Sequence, residues 1–337
     1  MTRSNLNWLS IALLCPLLLA ACGADRGDHV VEFYALGTEV SVSLFDVSEQ
    51  EIDAASEQLQ DYFAAIGIDW YPWSPGELRA VNIAIELQEA TDVSPRLALV
   101  IKRAAQIERL SNNRFNAGLG RVTELWGLHE IGSEPPPKPN INDIAAALSQ
   151  AIGVANIRWT DNRIVGAPPG LMLDLGGIAK GAILEDSATI LRGLEINNAI
   201  INIGGDLTVI GDVNGRPAHV GIRSPFEESA IAAVDVEAGE TIVTSGNYER
   251  FVDIDGERYS HVLNPRTGYP VEHTSAVTVI HTDAMLADAA ATALMVGGAA
   301  EFEQLCKSLG LEYALLIDAS GDLSLTPAMD YRLNWLN

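Results

Sequence analysis

Val40, Val42 and Leu44 alternate with Ser41 and Ser43, the two-residue period of a strand with one buried face. The period then changes. Ser48 followed by Glu51 predicts a capping box, and the helix it opens carries Ile52, Ala55, Leu59 and Ile66 on one face. Ser94 and Pro95 predict a second helix start, an N-cap with proline at the first helical position. An apolar stripe of Val100, Ile101, Ala104 and Ile107 follows. The run Glu134-Pro135-Pro136-Pro137-Lys138-Pro139 suits neither a helix nor a central strand and reads as a surface loop. Apolar patterns on its two sides read as parts of one core.

Past this loop, strands dominate. Asp161-Asn162 and Asp255-Gly256 each separate two short runs, 157–160 from 163–165 and 251–254 from 257–261, predicting two hairpins. Further strands are expected at 199–203, 207–210, 219–223, 230–236, 241–244 and 276–281. Residues 314–317 should pair with 323–326 across Ser320-Gly321. Two helices interrupt them. One has Leu184, Ala188, Leu191 and Leu194 on one face; the other covers 284–296, capped by Thr282 or Asp283. Helices and strands mixed without a regular βαβ alternation predict an α+β architecture of mixed sheets with packed helices.

The amino terminus follows another logic. Arg3 precedes a nearly all-apolar run over residues 9–21, too short to span a ~30 Å hydrocarbon core comfortably. It closes on Leu19-Ala20-Ala21-Cys22-Gly23, which resembles a bacterial lipobox. That resemblance implies a signal peptide over 1–21, lipidation at Cys22 and a tether over 22–28. A soluble body over 29–337 would then sit on the periplasmic side of a membrane, held through the lipid anchor. An ordinary cleaved signal with an incidental Cys leaves the same trace. The composition, 337 residues with 48% hydrophobic, is that of a globular chain with ample core. A formal charge of −24 excludes nucleic acid as a partner, and equally a polybasic contact with anionic lipid. Three Cys without a C-x-x-C spacing exclude a disulfide framework, a zinc ribbon and a c-type haem; Cys306 reads as a small buried thiol.

Chemistry concentrates in a few places. Ala, Met, Leu and Val surround the axis of helix 284–296, so it is expected to be buried on all sides. Within it, Asp288 and Thr292 stand one turn apart on one face. A carboxylate there costs several kcal/mol unless paired, protonated or bound to a cation. A carboxylate and a hydroxyl together suit a hard cation such as Mg²⁺. An Asp288 bonded to a nearby N–H, with Thr292 bonding back to its carbonyl, accounts for the same pair without metal. Leu173-Asp174-Leu175-Gly176-Gly177-Ile178-Ala179-Lys180-Gly181 leads into a helix, offering N–H groups and the Lys180 charge to a phosphate, or only a tight turn. It is not a P-loop, because Gly181 stands where Ser or Thr should hold the metal. Asp206, after Ile203-Gly204-Gly205, reads as a turn cap. His261 alone among six His lies in a stretch dense in turn formers and donors, and reads as a site residue or a strand-end histidine. Neither G-x-S-x-G nor H-E-x-x-H occurs, against serine hydrolase and zinc protease chemistry.

Five motifs occur in order: Asp174 to Gly181 (DLGGIAKG), Asn202 to Asp206 (NIGGD), Thr244 to Phe251 (TSGNYERF), His261 to Pro270 (HVLNPRTGYP) and Ala287 to Leu294 (ADAAATAL). Together they resemble the ApbE family of flavin transferases. Leu36-Gly37-Thr38, Trp73 ahead of Glu77-Leu78 and Asn82, and Phe115 through Leu125-Trp126-Gly127 agree with it. The resemblance implies transfer of FMN from FAD to a Thr or Ser hydroxyl of an exported acceptor protein, with AMP released and Mg²⁺ required. It implies a metal held by Asp288, Thr292 and the Gly177 carbonyl. Leu36, Trp73, Arg114, Phe115, Asn116, Asp174, Lys180 and Leu263 would line the FAD site. Lys180 would assist the developing charge, and His261 or a metal ligand would take the acceptor proton. Two positions depart from the family pattern: Asn116 and Asn264 stand where aspartate is usual. Hydrolysis of FAD to FMN and AMP, or FAD binding without catalysis, are the alternatives the same residues allow.

Overall fold

Residues 26–129, 136–151 and 153–336 are described by the computed structural model. The signal-like segment, Cys22 and the first part of the expected tether lie outside them. The strands are β1 (Arg26–Ala35), β2 (Thr38–Ser48), β3 (Thr91–Asp92), β4 (Arg158–Thr160), β5 (Arg163–Gly166), β6 (Ala199–Ile203), β7 (Asp206–Ile210) and β8 (Ala218–Arg223). They continue as β9 (Ala230–Val236), β10 (Thr241–Gly246), β11 (Phe251–Ile254), β12 (Glu257–Ser260), β13 (Thr274–His281), β14 (Tyr313–Asp318), β15 (Leu323–Leu325) and β16 (Asn334–Trp335). The helices are α1 (Glu49–Asp69), α2 (Glu77–Glu86), α3 (Pro95–Leu110), α4 (Gly120–Leu125), α5 (Ile141–Gln150), α6 (Ala179–Gly193), α7 (Ala284–Leu309) and α8 (Pro327–Arg332).

Local signals hold where they are strongest. Glu51 Oε2 accepts from the Ser48 N–H at 2.7 Å, and Ser48 Oγ accepts from the Glu51 N–H at 3.4 Å, so the capping box opens α1 as expected. Ser94 caps α3, and the two expected hairpins form as β4–β5 and β11–β12. Asp283 is the cap of α7: its Oδ1 accepts from the Leu286 N–H at 2.8 Å. This helix outruns the expected 284–296, but residue 298 is a kink. Gly298 takes φ 62 and ψ −174, with the chain turning helical again to Leu309. One boundary needs correction. The tether was expected over 22–28, yet β1 begins at Arg26, pairing with Ser48, because the Arg26 guanidinium reaches the Asp46 carbonyl at 2.8 Å and the Glu51 carboxylate at 3.2 Å.

Eight strands form one antiparallel sheet in the order β1-β2-β6-β7-β10-β13-β14-β15. Its middle is buried on both faces, and strand alternation sorts the side chains. Val243, Val277, Val279 and Leu316 face the helices, where α7 packs on β10, β13 and β14 and is itself covered by α3 and α6. Ile242, Ile280, Leu315 and Ile317 face a second cluster with Ala218, Ile222 and Val234 from the small sheet β16-β9-β8. A third cluster gathers Trp126, Ile144, Val252, Tyr259 and Leu263, joining α4 and α5 to the β11–β12 hairpin. The architecture is α+β. Although α7 has the length and hydropathy of a membrane span, it is packed inside the protein.

The tightest crossing places the first turn of α6 on the start of α7. A Cβ added at Gly181 would lie 2.2 Å from the Ala284 carbonyl oxygen. Gly181→Ala is therefore expected to cost about 1–3 kcal/mol of stability through overpacking. A lower urea midpoint in equilibrium unfolding checks this; an unchanged midpoint contradicts the crossing.

Candidate active site

Asp288 is buried, 2% exposed, on the face of α7 that meets α6. Its Oδ2 accepts from the Gly181 N–H at 2.9 Å. Thr292 Oγ1 donates back to the Asp288 carbonyl at 3.4 Å, so the backbone bonds foreseen without metal are both present. They engage one carboxylate oxygen and the hydroxyl hydrogen of Thr292, leaving the lone pairs of Oγ1 open. Burial pushes the Asp288 carboxyl upward, against the pull of the Lys180 charge, while the Asp206 charge adds to the rise.

Lys180, in the first turn of α6, points its ammonium at Asp206, which is 1% exposed at the start of β7. Asp206 Oδ1 accepts in turn from the Thr244 N–H at 3.0 Å. Burial works against the Lys180 charge, but Asp206, Asp288 and Glu249 outweigh it and hold the ammonium protonated. Asp206 is thus not a mere turn cap. Reading along the chain misses this role, since the signal was only an acid directly after Gly204-Gly205 in the third dimension's service.

Gly177 lies against both Thr292 and Phe115. A Cβ there would be 3.1 Å from Thr292 Oγ1 and 3.2 Å from the Phe115 ring, so the loop backbone approaches α7 closely. Gly176 is exposed, Gly177 and Thr292 are half-buried, and Lys180 is 27% exposed, so the sealed Asp288 is bordered by groups that reach the surface. The donor set is one carboxylate, one hydroxyl and a glycine carbonyl, all hard oxygens. Among the described residues no cluster of three His, Cys, Asp or Glu could hold a metal. A cation here would take Asp288 as its single charged protein ligand and leave room for oxygens of a substrate.

The other expected site residues divide into two groups. Asp174 Oδ1 accepts from Gly176 N–H at 2.9 Å and Oδ2 from Thr123 Oγ1 at 3.0 Å; burial raises its carboxyl against these bonds. Next to Thr123 on α4, Glu124 accepts from Trp73 Nε1 at 2.7 Å, and the Trp73 ring lies 5.1 Å from that of His129. Leu36 takes φ 57, and its carbonyl accepts from Arg250 Nη2 at 3.5 Å. The Arg250 carbonyl accepts from His261 Nδ1 at 3.0 Å, tying the Leu36 turn to the imidazole.

Three further expected residues have partners within the protein. The Arg114 guanidinium is turned to Glu301 on α7, with Nε at 2.6 Å, because a buried cation takes the nearest carboxylate. The Asn116 side chain is consumed by its own loop, accepting from Gly118 N–H at 2.7 Å and donating to Asn113 Oδ1 at 3.0 Å. Leu263 is buried in the cluster of Trp126 and Tyr259. Phe115 of the 114–116 segment has its side chain against Gly177.

The sequence model of the ApbE family matches residues 36–315, and the chain belongs to that family. It is similar to the FAD:protein FMN transferase of Rhodobacter capsulatus, 35% identical over 96% of this chain and 62% of that protein. The chain thus spans less than two thirds of that relative's length. The FAD:protein FMN transferases of Vibrio cholerae and Haemophilus influenzae are 29% and 27% identical, over 87% and 91% of this chain and 88% and 91% of theirs. A crystal structure of the ApbE protein of Thermotoga maritima superposes with a TM-score of 0.82 at 28% identity, over 90% of this chain and 99% of that one. The apo flavinyl transferase ApbE of Pseudomonas stutzeri shares the fold, with a TM-score of 0.78 at 23% identity over 91% and 97%.

Since Nδ1 of His261 donates to a carbonyl, Nε2 carries the free lone pair. Burial, with the charges of Arg250 and Lys180, pulls this imidazole down to about 4, against the Arg250 carbonyl bond. On acidification the unfolded chain takes its proton first, near 6.5, so His261 weakens the fold as pH falls from there through 4. An NMR titration should place its midpoint near 4, and a midpoint at 6.5 would put the ring in water.

Proposed function

We propose that this protein is an FAD:protein FMN transferase, moving FMN from FAD to a Thr or Ser hydroxyl of an acceptor protein and releasing AMP. The observation that carries the reading is a buried carboxylate, Asp288, within the field of the Lys180 ammonium, whose charge also acts on the His261 imidazole, in a fold shared with ApbE proteins. The relatives' names supply the substrate, and the hard-oxygen donor set supports a divalent cation.

Asp288, Thr292 Oγ1 and the Gly177 carbonyl would hold Mg²⁺, which when bound draws negative charge from the pyrophosphate. The acceptor oxygen forms its bond to the FMN-side phosphorus, and the bond from that phosphorus to the oxygen of AMP breaks. His261 Nε2 takes the hydroxyl proton, being neutral and unprotonated across the physiological range. Lys180 supplies a fixed positive charge toward the nonbridging oxygens. Trp73 and Phe115 offer aromatic faces to the flavin, and Asp174 is tied through Thr123 to the helix whose Glu124 holds Trp73. Trp73 is held by Glu124 and flanked by Tyr71 and His129, so its ring does not need to be ordered on binding.

Soluble protein incubated with FAD, Mg²⁺ and a flavin-accepting domain is expected to yield flavin fluorescence that survives a denaturing gel. Asp288→Ala should fold and lose at least about a hundredfold in this reaction, the loss typical of removing a charge-stabilising group. Free FMN and AMP without labelled acceptor would make the protein a hydrolase; unchanged FAD would make it a binding protein.

The exported, lipid-anchored state belongs to the same proposal and is supported by the apolar run over 9–21 and by Cys22. With β1 starting at Arg26, only residues 23–25 would separate the lipid from the folded body, so the site would work close to the membrane surface. Cys22→Ser is expected to move the protein from the membrane to the soluble fraction after fractionation. Retention at the membrane would refute the anchor.

A further inference from the structure

Lys180 has two buried carboxylates to choose from. Its own backbone neighbour, Gly181, donates to Asp288 Oδ2 at 2.9 Å, so the Lys180 stem starts beside Asp288. Yet the ammonium is paired with Asp206. Among the described residues no other carboxylate lies within 4.0 Å of Lys180 Nζ. Asp206 is built to win this contest. It opens β7 directly after the turn at Gly204 (φ 60) and Gly205 (φ 100), and its Cα stands opposite Ile203 in the ladder. Its Oδ1 is fixed by the Thr244 N–H of β10 at 3.0 Å, which aims Oδ2 at Lys180. Both Asp206 and Asp288 are sealed from water, at 1% and 2% exposure, so where the single mobile charge sits matters more than it would at a surface.

We propose that Asp206 is a positioning residue for the cation site: by holding the Lys180 ammonium it keeps that charge off Asp288 and leaves the Asp288 carboxylate to a divalent ion. The inference rests on the cation reading of Asp288. An ammonium seated on Asp288 would neutralise the one charged protein ligand and repel the incoming ion. Held by Asp206, the same ammonium stays charged and close enough to face phosphate oxygens, without competing for the ligand. An ion pair that served only to tie α6 to β7 would leave cation affinity unchanged when removed.

The test uses Mn²⁺, which accepts the same oxygen ligands, added to the FAD-loaded full-length protein without acceptor, with binding read from loss of the free-ion paramagnetic signal. Asp206→Asn is expected to weaken Mn²⁺ binding about tenfold or more, by freeing Lys180 to fall on Asp288. Adding Lys180→Met in that background should restore affinity to within about threefold of wild type. Wild-type affinity in Asp206→Asn, or no restoration by the second change, overturns the proposal. If Asp206→Asn fails to fold, the double variant, which carries neither charge, decides. Binding near wild type supports action through Lys180, and a tenfold loss overturns it. Asp288→Ala measured in parallel separates the two readings: unaltered Mn²⁺ binding in that variant removes the cation from Asp288 altogether.

Discussion

A carboxylate cannot remain sealed in an apolar helix without partners, and Asp288 sets this constraint on everything around it. Its neighbours on α7 are Ala287, Ala289, Ala290 and Ala291, all buried, which can offer it nothing. The partners come from α6 instead, as the Gly181 N–H and the nearby Lys180 charge. That approach is possible only because residue 181 lacks a side chain where α6 meets Ala284. Gly177 repeats the device one turn earlier, bringing loop backbone against Thr292. Gly177 and Gly181 therefore serve close contact between this backbone and α7.

The large sheet makes those contacts rigid. Burial on both faces pins β10 and β13 between two apolar clusters, and β10 carries the Thr244 N–H that fixes Asp206. A register slip in β10 would turn Val243 away from the helices and unseat that N–H together with it. Positioning of a charge on α6 thus depends on strand pairing far away in sequence, an arrangement that a loop alone could not hold to the same tolerance.

This explains which parts were legible in the sequence. Caps and hairpins are local: Ser48 with Glu51, Ser94 with Pro95, and Asp255-Gly256 each contain their own partners within a few residues. The α+β class follows from counting such elements. Asp288 and Thr292 could be singled out because a polar pair interrupts an otherwise apolar helix. The pairings that decide charge are not local. Lys180 with Asp206 and Arg114 with Glu301 join residues that nothing in composition or period connects. Asn116 shows the converse. Motif position assigns it to the FAD lining, while its bonds to Gly118, Asn113 and Ala151 are visible only once the loop is closed. The start of β1 was hidden for a similar reason, since Arg26 gains its place from Asp46 and Glu51 across the turn.

The proposed reaction asks a base and a fixed cation to coexist in one site. A permanently charged Lys180 near His261 makes protonation of the imidazole harder, and burial acts the same way. The cost is a weaker base; the gain is that the ring is never blocked by a proton at neutral pH. The Arg250 carbonyl then fixes the tautomer, so the single available lone pair is on Nε2. Without Asp206 the ammonium would be free to swing to Asp288, and its charge would leave the place from which it adds to the effect of burial on the imidazole. Under the proposed function, charge on Lys180, neutrality of His261 and access of a cation to Asp288 are therefore linked through the strand end where Asp206 begins β7.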